Sequence, residues 1–299
     1  MPARFCAYPS DSAAVVRVLE DDANYRIGRS SDCEIRLEHR SISRLHAELS
    51  GRGQSWRIHD TGSKNGLSID GRMSQRADLS KSTWFMIGDV YCSFEPMDAA
   101  ATAVQLATSE ARRSTSRALS SRLLPNLGIG TLIPQTLDMV LQLSGLERGF
   151  VLYAPEGEPL RVHATRGLHV DDLSDKHFAG SAAAVDRALE TREHVVCCDT
   201  NDSPWLGARP SVRLGGIRSL ICIPLTLSGR SIGVLYADSR LPGPPITELD
   251  IELVENVTRQ AAAAIEAARL EDRLADVLRS AERLGVQAPI WSELHRTTL

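Results

Sequence analysis

Three short stretches between Ile27 and Gly66 hold the residue types best suited to chemistry in this 299-residue chain. They read Ile27-Gly28-Arg29-Ser30, Ser43-Arg44-Leu45-His46 and Asp60-Thr61-Gly62-Ser63-Lys64-Asn65-Gly66. An arginine offers a planar fork of donors that matches phosphate oxygens. Ser43 adds a hydroxyl donor, and Arg44 beside it adds charge. The Asn65 amide both donates and accepts, which suits the main chain of an extended peptide. Gly28 permits an unusual backbone angle at a strand end, letting Arg29 project from a loop. Asn65-Gly66 reads as a hairpin-type turn. Each residue alone is ordinary surface. Together and in this order they suit a phosphate and the peptide that carries it.

Such side chains need a rigid frame to hold their loops. From Ala14 to Phe94 the pattern is short alternating runs broken by Gly, Asp, Asn and Ser. Val15–Leu19, Glu34–Leu37, His46–Leu49, Ser55–His59, Leu67–Ile69, Trp84–Ile87 and Tyr91–Phe94 are the strand candidates. Close spacing with turn signals between them predicts an all-β sandwich over 14–97. Residues 1–13 read as a flexible N-terminus. Residues 98–117 read as a linker passing into a helix, and the four arginines spaced to Leu124 (Arg112, Arg113, Arg117 and Arg122) read as a solvated face in preference to a nucleic-acid patch.

A mixed domain over 118–268 follows. Helical periodicity marks Leu132–Leu143 and Ala182–Thr191. Strand patterns mark Gly149–Tyr153, Leu160–Thr165, His194–Cys197, Ser219–Leu227 and Ser231–Asp238, the last two joined by a Leu227-Ser228-Gly229-Arg230 turn. A long helix begins at Thr247 and runs to about Leu284, and residues 269–299 form the C-terminal helix and tail. Ala263, Ala267, Leu270, Leu274, Val277, Ala281 and Leu284 alternate by four and three, a heptad seam that predicts a homodimer. The last segment, Gly285–Leu299, contains Pro289 and Trp291.

The first third of the chain resembles the forkhead-associated (FHA) family over about residues 15–96. Ile27-Gly28-Arg29, Cys33-Glu34-Ile35-Arg36-Leu37, Ser43-Arg44-Leu45-His46-Ala47, Asp60–Gly66 and Ile87-Gly88-Asp89 carry the likeness. The resemblance implies an eleven-stranded β-sandwich that binds phosphothreonine peptides through loops at one end. It implies phosphate binding by Arg29 and Ser43, with Arg44 near the phosphorylated residue. Asn65 would hold the peptide backbone and Lys64 would reach the phosphate. Gly28, His46 and Gly66 would support the binding loops, His46 by fixing the loop that carries Ser43 and Arg44. The implied partners are a phosphothreonine-containing protein and a Ser/Thr kinase.

The second domain resembles the GAF family, through Leu146–Leu152, Ser219–Leu225, Ile232–Asp238 and Leu249–Leu270. This implies an α+β domain whose antiparallel sheet is flanked by helices, with a small-molecule pocket lined from the stretch between Thr165 and Arg218. Trp205 and His177 are candidates for that lining, and the ligand is unknown. The pattern of the cyclic-nucleotide-binding members is not visible. The vicinal pair Cys197-Cys198 is the unusual chemistry of this region and a candidate for a redox role. In a strand the two side chains point to opposite faces, one buried and the other more exposed. The cysteine segments of the GAF subgroup that reduces methionine sulfoxide are absent.

Whole-chain numbers limit the remaining classes. A formal net charge of −4 gives no general attraction to nucleic acid or anionic membrane. No apolar run approaches the about eighteen residues of a membrane span, and the opening Met1–Cys6 lacks the core of a signal peptide. The six cysteines include no Cys-x-x-Cys pair and imply no metal site. A cytoplasmic protein is expected. No Walker A, kinase loop or DNA-binding helix-turn-helix is visible. The expectation is a non-enzymatic signalling adaptor. A transcription-regulatory sensor, or a fragment of an enhancer-binding activator, is the second reading. A thiol sensor or reductase using Cys197 and Cys198 is the third.

Overall fold

The computed structural model describes residues 1–53, 55–155, 157–169, 173–174, 177–178 and 180–283. Its N-terminal part is a sandwich of eleven described strands, β1 (Ala3–Tyr8), β2 (Val15–Leu19), β3 (Asn24–Gly28), β4 (Ile35–Arg36), β5 (Ala47–Arg52), β6 (Ser55–Asp60), β7 (Leu67–Ile69), β8 (Arg72–Ser74), β9 (Arg76–Leu79), β10 (Thr83–Ile87) and β11 (Val90–Pro96). One sheet has the order β2-β1-β11-β10-β7-β8 and the other β4-β3-β5-β6-β9. In β6 the alternation is plain: Trp56 and Ile58 are buried while Ser55, Arg57 and His59 face out. Trp56 packs on Phe94 with ring centroids 5.8 Å apart, and its indole N–H donates to the Met1 carbonyl at 2.8 Å.

The N-terminus departs from expectation. Residues 1–13 are read from sequence as a flexible lead, whereas Ala3–Tyr8 forms a central strand between β2 and β11. Ala3, Phe5 and Ala7 are fully buried. Two of those three inward residues are alanines, so the alternation carries little hydropathy contrast. The pairing partner lies more than eighty residues away, from Ala3↔Pro96 to Tyr8↔Tyr91.

Nearly all of residues 98–117, read from sequence as a linker passing into a helix, are helical. They belong to α1 (Ala99–Ser120), started by the Asp98 side chain accepting from the Ala101 amide at 2.6 Å. The second domain then comprises α2 (Ile129–Ser144), β12 (Arg148–Tyr153), β13 (Arg161–Arg166), the short pair β14 (Leu173–Ser174) and β15 (His177–Phe178), α3 (Ala182–Thr191), β16 (Val195–Cys197), α4 (Pro210–Gly215), β17 (Ser219–Leu227), β18 (Arg230–Ser239) and α5 (Glu248–Arg283). Its antiparallel sheet has the order β13-β12-β18-β17-β16. One sheet face packs on α2 and α5 through Leu137, Val140, Leu235, Val254 and Ile265. The other face packs on α3 and α4 through Phe150, Ala184, Leu206, Val212 and Tyr236. A capping box opens α5: Asp250 accepts from the Thr247 amide at 2.6 Å, and the Thr247 hydroxyl accepts from the Asp250 amide at 3.3 Å.

The two domains are docked through the β1–β2 turn. The Ala14 amide donates to the Ile246 carbonyl at 2.7 Å, and the Glu248 amide donates to the Ala14 carbonyl at 3.0 Å. Ala13 lies in the apolar core of the second domain. Arg17 pairs with Glu248 at 2.5 Å. Close by, Arg112 and Arg113 of α1 pair with Asp250 and Glu252 of α5. Two arginines of the helix face read as solvated are therefore ion-paired across the helix contact.

Candidate functional site

The segment after β3 runs beside the β4–β5 loop. The Arg29 amide donates to the Ser43 carbonyl at 2.9 Å, and the Ser30 amide donates to the Arg44 carbonyl at 3.0 Å. This crossing explains Gly28. Its φ is not in the left-handed region. A Cβ there would instead collide with the Arg44 carbonyl oxygen and sit 2.9 Å from Cys33 Sγ. Close approach, not an unusual angle, is the reason for glycine.

A buried histidine ties the loops together. His46 Nδ1 accepts from the Ser43 amide at 3.2 Å. The proton is therefore on Nε2, which donates to the Gly66 carbonyl at 3.0 Å. Ser43 Oγ accepts from the Lys64 amide at 3.0 Å. Asn65 Nδ2 donates to the Ser41 carbonyl at 2.8 Å, which leaves its side-chain oxygen as an acceptor. Below the tip, Asp60 and Ser63 side chains hold the Ser63 and Gly66 amides at 2.8 and 2.9 Å. The Asn65-Gly66 turn is not a hairpin. It joins β6 and β7, which lie in different sheets. Gly66 does adopt a positive φ of 73°, which a side chain rarely takes.

The structure thus brings Arg29, Ser43, Arg44, Lys64 and Asn65 to three neighbouring loops at one end of the sandwich. Ser43 is half-buried and the other four are exposed. Among the described residues, no ion pair engages Arg29, Arg44 or Lys64. The β3–β4 loop holds two acids: Asp32 accepts from the Ser30 hydroxyl at 3.0 Å, and Arg26 grips Glu34 through two guanidinium contacts at 2.8 and 3.2 Å. That grip holds the Glu34 carboxyl well below its usual range, at about 2. Cations outside any ion pair, a hydroxyl and an amide each bonded to backbone, and loops cross-tied by hydrogen bonds suit a dianionic group on an extended chain.

The second domain offers different material. Cys197 is fully buried on the α3 face, while Cys198 is half-buried on the other, with Sγ 3.5 Å from the Ser12 carbonyl and 3.4 Å from that of Ile246. Burial raises the two thiols to about 12 and about 11. Both are protonated near neutrality, the opposite of what a thiolate nucleophile requires. Cys6, Cys33, Cys92 and Cys222 are buried and unpaired. Trp205 lies under Arg187, whose guanidinium carbon is 4.8 Å from the ring centroid. The side chain of His177, parts of the stretch between Thr165 and Arg218, Leu284 and the tail with Pro289 and Trp291 lie outside the described residues. On the α3 face, Phe150 and Tyr236 stack at 4.8 Å within the apolar cluster. Beside them a buried ion pair joins Arg148 to Asp238 at 2.5 and 3.2 Å, a feature that isolated strand patterns do not disclose.

Two cavities of about 520 and 750 Å³ lie between the domains. Glu38 of the β4–β5 loop, Ser12 of the β1–β2 turn, and His194, Glu255 and Arg259 of the second domain line both. His194 donates to Glu255 across 2.7 Å when protonated. That hydrogen bond raises the imidazole and lowers the carboxyl.

Comparison with known proteins agrees with this layout. The FHA domain model matches residues 25–88 and the GAF domain model matches residues 129–265. No curated protein matches the chain. Among solved structures, the FHA domain of CT664 from Chlamydia trachomatis is 29% identical, covering 32% of this chain and 99% of its own, with a TM-score of 0.28. FHA-1 of Rv1747 from Mycobacterium tuberculosis is 26% identical, with 32% and 97% covered and a TM-score of 0.28. A GAF domain/HD domain protein from Geobacter sulfurreducens is 15% identical, with 47% and 94% covered and a TM-score of 0.38. The chain carries an FHA domain followed by a GAF domain, the composition of a signalling protein.

Proposed function

We propose that this protein is a signalling adaptor whose FHA domain docks a phosphothreonine-containing protein. Arg29, Ser43 and Lys64 take the phosphate, Arg44 lies beside the phosphorylated residue, and Asn65 holds the peptide main chain. The observation that carries this reading is the Ser43 hub. Its carbonyl takes the Arg29 amide and its hydroxyl takes the Lys64 amide, so these residues are held together without a carboxylate among them. The partner is a Ser/Thr kinase or a substrate of one, because only such an enzyme writes the mark.

The GAF domain and α5 supply the output side. Beyond Ala268 the helix presents Leu270, Leu274, Val277 and Leu278, each more than half exposed. This exposed seam supports a homodimer in which α5 pairs with its equivalent. Calorimetry with phosphothreonine peptides tests the central reading: wild type binds, Arg29→Ala does not, and the circular dichroism melt is unchanged. Equal affinity of the two proteins would refute it.

A further inference from the structure

The phosphate-binding end of the FHA domain is also the end that meets the GAF domain. The register Tyr8↔Tyr91 places the β1–β2 turn beside the β10–β11 turn. That second turn is bonded to the site, since the Gly88 amide donates to the Gly66 carbonyl and the Asp89 amide to Ser41 Oγ. The β1–β2 turn in turn is hydrogen-bonded to Ile246 and Glu248 of the GAF domain. A peptide crossing the FHA loops therefore runs alongside the interdomain cleft.

The distance is short. Leu37 donates to the Gly28 carbonyl on one side of the β3 end, and Arg29 donates to Ser43 on the other. Two strand spacings separate Leu37 from Ser43, about 10 Å. Glu38, next along, lines the cleft. Three extended residues cover about 10 Å, so positions three or more from the phosphothreonine reach the cleft rim.

The far wall of that cleft carries three arginines beside Glu193 and Glu255. Arg187, Arg192 and Arg259 line it, and no ion pair engages Arg192 or Arg259 among the described residues. Of the four acids lining the same cavity, Glu255 is taken by His194 and Glu38 by Arg36, while no ion pair engages Asp11 or Glu193 among the described residues. Exposed Arg40 and Arg44 extend the positive charge back toward the site.

We infer that the GAF domain completes the phosphopeptide site, with Arg192 and Arg259 in the interdomain cleft recognising acidic residues that flank the phosphothreonine. The inference rests on the phosphothreonine reading above. The full chain is titrated with phosphothreonine 15-mers bearing either Asp or Ala at the third to sixth positions, before or after the phosphothreonine. On one side the Asp peptide binds wild type about fivefold more tightly than its Ala counterpart, the size of two part-exposed arginine–carboxylate pairs. R192Q/R259Q loses that preference and keeps its affinity for the Ala peptide, which also reports that the variant is folded. Arg29→Ala loses both peptides. No Asp preference in wild type, or one that survives in R192Q/R259Q, overturns the inference and leaves the FHA reading intact. A wild type that binds no phosphopeptide overturns both.

Discussion

The Arg29 amide donates to the Ser43 carbonyl at 2.9 Å, so the arginine and the serine hydroxyl rise from adjacent chains on a common base. Pre-organisation of this kind spares a ligand the cost of ordering two loops. His46 beneath them is buried and uses both ring nitrogens on the loops it supports.

Ser43→Ala separates binding from stability. It removes the hydroxyl proposed as a phosphate donor and leaves the exposed Lys64 amide to water. Phosphopeptide affinity falls about tenfold, while stability falls by about 1 kcal/mol or less. Calorimetry and urea denaturation on one preparation read both.

His46→Ala acts in the reverse order. It strands the Ser43 amide and the Gly66 carbonyl and opens a void, which costs about 2–4 kcal/mol. The urea midpoint of the FHA transition records that loss, and a midpoint like wild type would contradict the role assigned to the imidazole.

Gly28→Ala displaces the β4–β5 loop, because the new methyl would collide with the Arg44 carbonyl. Affinity drops by about tenfold or more as the loop moves the Ser43 hydroxyl. Amide shifts in NMR spectra should centre on residues 29–34 and 40–46.

The His194–Glu255 pair makes stability pH-dependent with a defined sign. The imidazole is raised above its ordinary 6.5 by the carboxylate. Its contribution is complete below that value and is lost as pH rises through the folded pKa. The carboxyl is lowered, so its own contribution is present above 4.5 and lost as pH falls through the folded value. Both side chains are more than a third exposed, so the effect stays below about 1 kcal/mol. Melting temperatures from pH 6 to 9 should fall less in His194→Gln than in wild type.

Asp238→Ala leaves Arg148 charged and buried, costing the GAF domain about 3–5 kcal/mol. Adding Arg148→Met to it recovers part of the loss. Chemical denaturation of the three proteins distinguishes this from loss of packing alone.

Leu274→Glu places charge on the exposed seam of α5 and should convert a dimer to a monomer in light scattering. A particle of the same mass in wild type and variant would remove the homodimer from the proposal.

Much of the FHA site is legible because its instructions are local. Asp60-Thr61-Gly62-Ser63-Lys64-Asn65-Gly66 folds through bonds spanning three residues, from Asp60 to Ser63 and from Ser63 to Gly66. A motif of that kind survives in any reading of the chain. The role of Gly28 is hidden from the sequence for the converse reason: the Arg44 carbonyl that forbids a Cβ arrives from sixteen residues away. β1 is not legible locally because Ala3 and Ala7 give no alternation signal and their partners sit on β11.

Residue types and spacing alone determine that loops bearing Arg29, Ser43 and Asn65 precede a sheet-and-helix domain and a heptad-bearing helix. They act through turn chemistry and periodicity, which need only near neighbours. The docking of Ala14 on Ile246 and Glu248, the seating of Cys198 against the Ser12 and Ile246 carbonyls, and the cleft between Glu38 and Arg259 were decided by the tertiary structure. Each depends on surfaces contributed by segments far apart in the chain, and no local pattern encodes which of those surfaces meet.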